Sequence, residues 1–181
     1  MAKRKANAAT ERTTAASGNE RAIDMRVLLE SLAEQFGEAL SKQQADQPTH
    51  EALKYNCFSI VVRYGRDFIP APKPKDIRWG DKNDCYGNAY KLMDDDLIYC
   101  EGYAIPNIGN VVHEMDHAWC VDADGNVIDN TWRTPGLAYF GIPFTQRFVR
   151  KQIHDTGWSA ILEGDAELFR AGLPRGAVKR F

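Results

Sequence analysis

The sequence predicts an α+β domain in which a short central helix packs on an antiparallel sheet. Three observations carry this. Ile23, Val27, Leu28, Leu32, Phe36 and Leu40 recur at helical spacing between Arg21 and Gln44, with Glu and Lys on the opposite face. Ala123-Asp124-Gly125-Asn126 is a compact turn signal between two short β-rich runs, His117 to Val121 and Val127 to Asp129. Between these regions, Asn83-Asp84 precedes Cys85, Tyr86, Ala89, Tyr90, Leu92 and Met93, the pattern of a helix of two to three turns with Cys85 in its first turn.

At 181 residues, 44% hydrophobic and 27% charged, the chain suits one well-filled core. We expect a single domain over residues 21–181. Residues 1–20 carry Lys3-Arg4-Lys5 and almost no large apolar side chain, so a flexible basic tail is expected there. A net charge of -2 argues against a whole-surface nucleic-acid binder. Cys57, Cys85, Cys100 and Cys120 form no Cys-x-x-Cys pair or disulfide framework and read as reduced thiols. No apolar run has the length of a membrane span or a secretion signal, so a cytoplasmic protein without membrane contact is expected.

Along the chain, the helix from Arg21 ends before Pro48-Thr49-His50, where His50 reads as exposed or capping. Glu51 to Tyr55 suggests a turn of helix, and Cys57 to Tyr64 either a strand or the end of a buried helix. Pro70, Pro72 and Pro74 mark residues 65–84 as an extended connector. After the Cys85 helix, Asp94-Asp95-Asp96 reads as an acidic loop rather than a metal site, and Leu97 to Ala104 as a strand with Ile98, Cys100 and Gly102 on one face. Trp132, Tyr139, Phe140 and Phe144 are expected to pack beside the hairpin. Thr145 to His154 and Gly157 to Leu173 read as helical, followed by a basic tail from Arg175 to Arg180.

The hairpin places His117 and Asp129 on adjacent antiparallel strands, where facing side chains approach closely enough for a carboxylate to hold an imidazole. Cys85 at a helix start feels the positive end of the helix dipole, which together with an imidazolium favours a thiolate. Cys85, His117 and Asp129 thus form a candidate nucleophile, base and orienting acid. Asn130 is an alternative orienter, but strand alternation turns it to the other face. The same alternation points Cys120 away from His117, and Cys57, Cys100 and Cys120 read as buried structural thiols.

At these residues the chain resembles the transglutaminase-like group of the papain-like superfamily. The likeness lies in Cys85 opening a helix, His117-Ala-Trp119 on a strand, Asp124-Gly125 leading into Asp129-Asn-Thr-Trp132, and the Tyr-Phe-Gly-Ile-Pro segment starting at Tyr139. It spans roughly residues 80 to 145. The resemblance implies a papain-like fold and a cysteine-dependent hydrolase or acyltransferase. Such an enzyme acts on an amide, peptide or isopeptide bond of a protein or peptide-like substrate, through a thioester and without a cofactor. It also implies an oxyanion-hole donor upstream of the cysteine, for which Trp79 and Asn83 are the candidates, with Trp119 and Trp132 as candidate substrate contacts.

A rival reading takes His113-Glu114-Met115-Asp116-His117 as a His-Glu-x-x-His zinc site, in which one helical turn aims His113 and His117 at a metal and Glu114 activates its water. Ile108, Val111, Val112, Met115 and Trp119 recur at helical spacing, whereas Gly109 and Asn110 oppose a helix and no third ligand is evident. The zinc reading leaves Cys85 and Asp129 unexplained, so we retain the cysteine reading with no metal. A third reading is a non-catalytic module binding a protein partner through its aromatic cleft.

Overall fold

The computed structural model describes residues 23–46, 53–109, 113–157, 160–164 and 166–181. The expected basic tail over residues 1–20 and the expected role of His50 lie outside them. Among the described residues the fold is mixed α and β, with one five-stranded antiparallel sheet in the order β1-β5-β2-β3-β4. The strands are β1 Arg66–Phe68, β2 Ile98–Ile105, β3 Met115–Val121, β4 Val127–Ile128 and β5 Ala138–Pro143. The helices are α1 Met25–Asp46, α2 Cys57–Tyr64, α3 Cys85–Leu92, α4 Gln146–Thr156, α5 Ile161–Gly164 and α6 Ala166–Ala171. No helix among the described residues is long and apolar enough to cross a membrane.

The two faces of the sheet build two cores. On one face Tyr99, Tyr103, Ala118, Cys120, Phe140 and Ile142 pack against residues of the helices, including Leu29, Ile60, Ala89 and Val149. On the other face Phe68, Cys100, Ala104, Trp119, Val121, Val127 and Tyr139 pack on one another, and no helix among the described residues contributes. The curl of the sheet makes this possible. Ile69, just past β1, bridges to Asn126 just before β4: its N–H donates to the Gly125 carbonyl at 3.0 Å and its carbonyl accepts from Val127 N–H at 2.9 Å. The two edge strands therefore meet, and polar edge groups that would otherwise be unpaired find partners.

A close approach in the central strands sets the spacing of the site. Gly102 on β2 faces His117 on β3 and Gly141 on β5. A Cβ on Gly102 would fall on the Phe140 carbonyl and the Gly141 Cα, neither of which can move without breaking the ladder. Gly102→Ala is accordingly expected to destabilise the protein by about 1–3 kcal/mol, the cost of overpacking a filled core, read as a lowered midpoint in chemical denaturation.

Several sequence expectations change here. On α1 the fully buried residues are Met25 and Leu29, while Val27 is 59% exposed, so the buried stripe is rotated from the one the spacing suggested. The described residues from Leu53 to Tyr55 are not helical; Lys54 and Tyr55 N–H instead both donate to the Phe169 carbonyl at 2.9 Å. Of the two readings left open for Cys57 to Tyr64 the helix is the one formed, begun by a capping box in which Asn56 and Ser59 exchange side-chain to backbone bonds. The connector over 65–84 contains β1. The Tyr139 segment forms a strand between β1 and β2, and Tyr139 packs on Trp119 of the hairpin as expected. The residues from Arg175 onward are not a free tail, because Ala177 is buried and Lys179 N–H donates to the Pro143 carbonyl at 2.8 Å. Asp94 Oδ1 accepts from Asp96 and Leu97 N–H, which makes the acidic trio a turn.

Candidate active site

The helix carrying Cys85 starts where the sequence places it. The Asp84 carboxylate accepts from Gly87 N–H at 3.2 Å as an N-cap, and Cys85 follows as the first helical residue, half-buried. The first N–H groups of a helix have no partner within it, and the Cys85 N–H has no acceptor among the described residues. The helix lies along β3, where the Cys120 thiol donates to the Ala89 carbonyl at 3.3 Å.

His117 and Asp129 come together as an almost fully buried pair, with Nε2 at 2.8 Å from Oδ2. They do not face each other directly. In the β3–β4 register Cys120 faces Ile128 and Val121 faces Val127, and β4 ends there. Continuing that register sets Asp129 opposite Trp119, so it reaches His117 diagonally on the same face. Asp129 is fixed by three further donors. Its Oδ1 accepts from Thr131 N–H at 2.8 Å and Trp132 N–H at 3.2 Å, and its Oδ2 from the Tyr139 hydroxyl at 3.1 Å.

These bonds set the electrostatics. Burial alone would raise the Asp129 carboxyl, but bonding to His117 and to the two backbone N–H groups holds it below its usual value. Burial alone would lower the His117 imidazole, but its hydrogen bond to Asp129 and the influence of the Cys85 thiol push it up to about 9. Since Nε2 is taken by Asp129, Nδ1 is the nitrogen left for Cys85. Trp132 stacks on the imidazole, with ring centroids 4.0 Å apart and planes 15° apart, and limits its rotation.

Cys85 and His117 open into one cleft of about 710 Å³, also lined by Asn83, Thr131 and Trp132. Asn83 holds a left-handed conformation at φ 60 and stands at the cleft two residues before Cys85. Trp79 is not brought to this cleft; it lines an adjoining groove of about 220 Å³ with Asp129, Trp132 and Arg133. Trp119 is 1% exposed and packs edge-on to Tyr139 and Phe68 in the second core, which removes it from contact with a substrate. Asn130 lies on the chain beside Asp129 and contributes its carbonyl, which accepts from Gly80 N–H at 2.9 Å. Burial pushes the Cys100 and Cys120 thiols well above their ordinary range, so both stay protonated.

The segment His113 to His117 is not a helix. His113 and Glu114 precede β3, and His117 lies within it. Four residues of extended chain span on the order of 13 Å, His113 is 69% exposed, and His117 gives Nε2 to Asp129. The turn that a His-Glu-x-x-His zinc site requires is therefore not formed, and no group of three or more His, Cys, Asp or Glu among the described residues is arranged to hold a metal ion.

Two residues that were assigned no part in the site from sequence organise it. Asn88, buried one turn after Cys85, accepts from Asp81 N–H at 2.8 Å and donates to the Asp81 carbonyl at 2.7 Å and to Thr131 Oγ1 at 3.0 Å. It ties the loop before Cys85 to the segment after Asp129. Tyr139 is the other; its hydroxyl accepts from Gly136 N–H at 2.9 Å while donating to Asp129. For Tyr139 the available signal was a hydroxyl-bearing residue in the apolar run from Leu137 to Phe144; for Asn88 there was none. Neither family models, nor curated proteins, nor solved structures gave a match to this chain.

Proposed function

We propose that the chain is a cysteine-dependent hydrolase or acyltransferase of papain-like, transglutaminase-like arrangement, acting on an amide, peptide or isopeptide bond. The observation that supports it most is the chain of contacts from Asp129 through His117 to Cys85 at the first turn of a helix, opening into a cleft. Cys85 as thiolate attacks the carbonyl carbon of the substrate. The oxyanion that forms is received by the Cys85 N–H, which no acceptor among the described residues takes, and by the Asn83 side chain at the same cleft. His117 gives its Nδ1 proton to the leaving amine as the C–N bond breaks, and a thioester remains. Water, deprotonated by His117, hydrolyses it; an amine in place of water gives transamidation. Asp129 keeps the second proton of His117 on Nε2 throughout, so Nδ1 alternates between donor and acceptor.

The chemistry needs no group beyond these side chains. All four cysteines are free, and a thiol nucleophile operates in a reducing compartment, so we assign the protein to the cytoplasm with a protein or peptide-like substrate. The test is intact-mass analysis after exposure to a panel of dipeptidyl amides and activated acyl esters. An acyl adduct on Cys85, absent from a folded Cys85→Ala protein that no longer turns the amides over, is expected. Turnover by Cys85→Ala would sink the mechanism.

A further inference from the structure

The cleft is asymmetric in charge. Lys82 and Arg133 line it, and neither has a carboxylate partner among the described residues, whereas Arg26, Lys91 and Lys151 are each paired with an acid. Arg133 is instead held by an aromatic ring, its guanidinium carbon 4.5 Å from the centroid of Trp79. Lys73 lies over the same indole at 4.5 Å. A stacked guanidinium is oriented without being neutralised, and its planar fork remains available for a carboxylate. Asp116 is the one carboxylate among the described lining residues, and it accepts the Tyr86 hydroxyl at 3.1 Å. Ile108 and Met115 supply an apolar wall, 69% and 45% exposed.

We infer that the acyl donor carries a carboxylate near the carbonyl that Cys85 attacks, received by Lys82 and Arg133, with an apolar portion against Ile108 and Met115. This rests on the proposed thiol chemistry and adds its substrate class. It also gives Trp79 a role, as the platform that positions Arg133.

The test compares two thiol reagents of the same chemistry. N-ethylmaleimide is neutral, and maleimidopropionate carries a carboxylate several ångströms from its reactive carbon. In both, the sulfur–carbon bond forms as the ring double bond opens, and a proton goes to the neighbouring carbon. Rates at Cys85 are read by peptide mass mapping on the full chain at pH 6 and low salt, as the ratio of the anionic to the neutral reagent. The His117 imidazolium contributes equally in every variant, so the change in ratio is the readout. Arg133→Gln and Lys82→Gln are each expected to lower it about threefold and together about tenfold, the effect of unit charges several ångströms away in a water-like medium. Arg133→Lys should retain most of the preference, Arg150→Gln on α4, which does not line the cleft, should leave it unchanged, and high salt should erase it. An unchanged ratio in the double variant, with Cys85 still reactive, overturns the anionic substrate and leaves the nucleophile standing. A Cys85 that reacts with neither reagent at pH 6 overturns the nucleophile, and this inference with it.

Discussion

At pH 6 Cys85 is expected to react with iodoacetamide about tenfold faster than N-acetylcysteine added to the same tube. An unperturbed thiol is only roughly 0.3% ionised at that pH. The raised His117 imidazole is an imidazolium at pH 6, and a unit positive charge about 4 Å away favours negative charge on the attacking sulfur by roughly 1–4 kcal/mol, of which tenfold in rate takes about 1.4 kcal/mol. The advantage should shrink as pH rises through about 9, where His117 gives up its proton. Cys100 and Cys120 should stay unlabelled across the range in the folded protein, because burial keeps them protonated and covered. His117→Asn removes the imidazolium and should return Cys85 to the reference rate. If Cys85 follows the reference thiol at every pH in the unmodified protein, there is no ion pair and the proposed chemistry fails.

The residues that could be placed from sequence were those whose local signals agreed with their surroundings. Asp84 and the apolar spacing after it fixed α3, and the Gly125 turn fixed β3 and β4, with Gly125 at φ 84 as the turn requires. The turn also depends on Asp122, whose Oδ1 accepts from Asp124 and Asn126 N–H. β5 was hidden because it is buried on both faces and shows no alternation, and β1 because three residues between Gly65 and Pro70 form a strand only by pairing with β5. The diagonal placement of Asp129 could not be read, since it depends on β4 stopping after Ile128 so that Asp129 can accept from Thr131 and Trp132 N–H. Asn88 was hidden for a different reason. A polar residue within a helix ordinarily faces water, and its burial is decided by the loop and the Thr131 segment folding over it from distant parts of the chain.

Asp129→Asn is expected to reduce amide turnover by about three to four orders of magnitude, by reversing the tautomer of His117 rather than by moving it. An amide offers one acceptor oxygen where the carboxylate offers two. If that oxygen stays on Thr131 and Trp132 N–H, the amide nitrogen faces His117 Nε2 and donates to it, which sends the single imidazole proton to Nδ1. Nδ1 then cannot accept the Cys85 proton, and the fast labelling at pH 6 is lost. If the amide turns the other way, it faces two backbone N–H groups with its own N–H, at a cost of about 1–3 kcal/mol for each buried donor left unsatisfied. Either orientation also breaks a buried ion pair, and a total loss of about 3–5 kcal/mol is expected in chemical denaturation. The pH dependence separates this from a general loss of packing. The lowered Asp129 contributes stability that is present above about pH 4 and lost as pH falls through its folded value. The raised His117 contributes stability that is present below about pH 6.5 and lost as pH rises through about 9. The two overlap in a plateau from about pH 4 to 6.5, which Asp129→Asn should flatten and Gly102→Ala should merely lower. A plateau of unchanged shape in Asp129→Asn would mean that the pair is not ionised in the folded protein, and the orienting role assigned to Asp129 would fall with it.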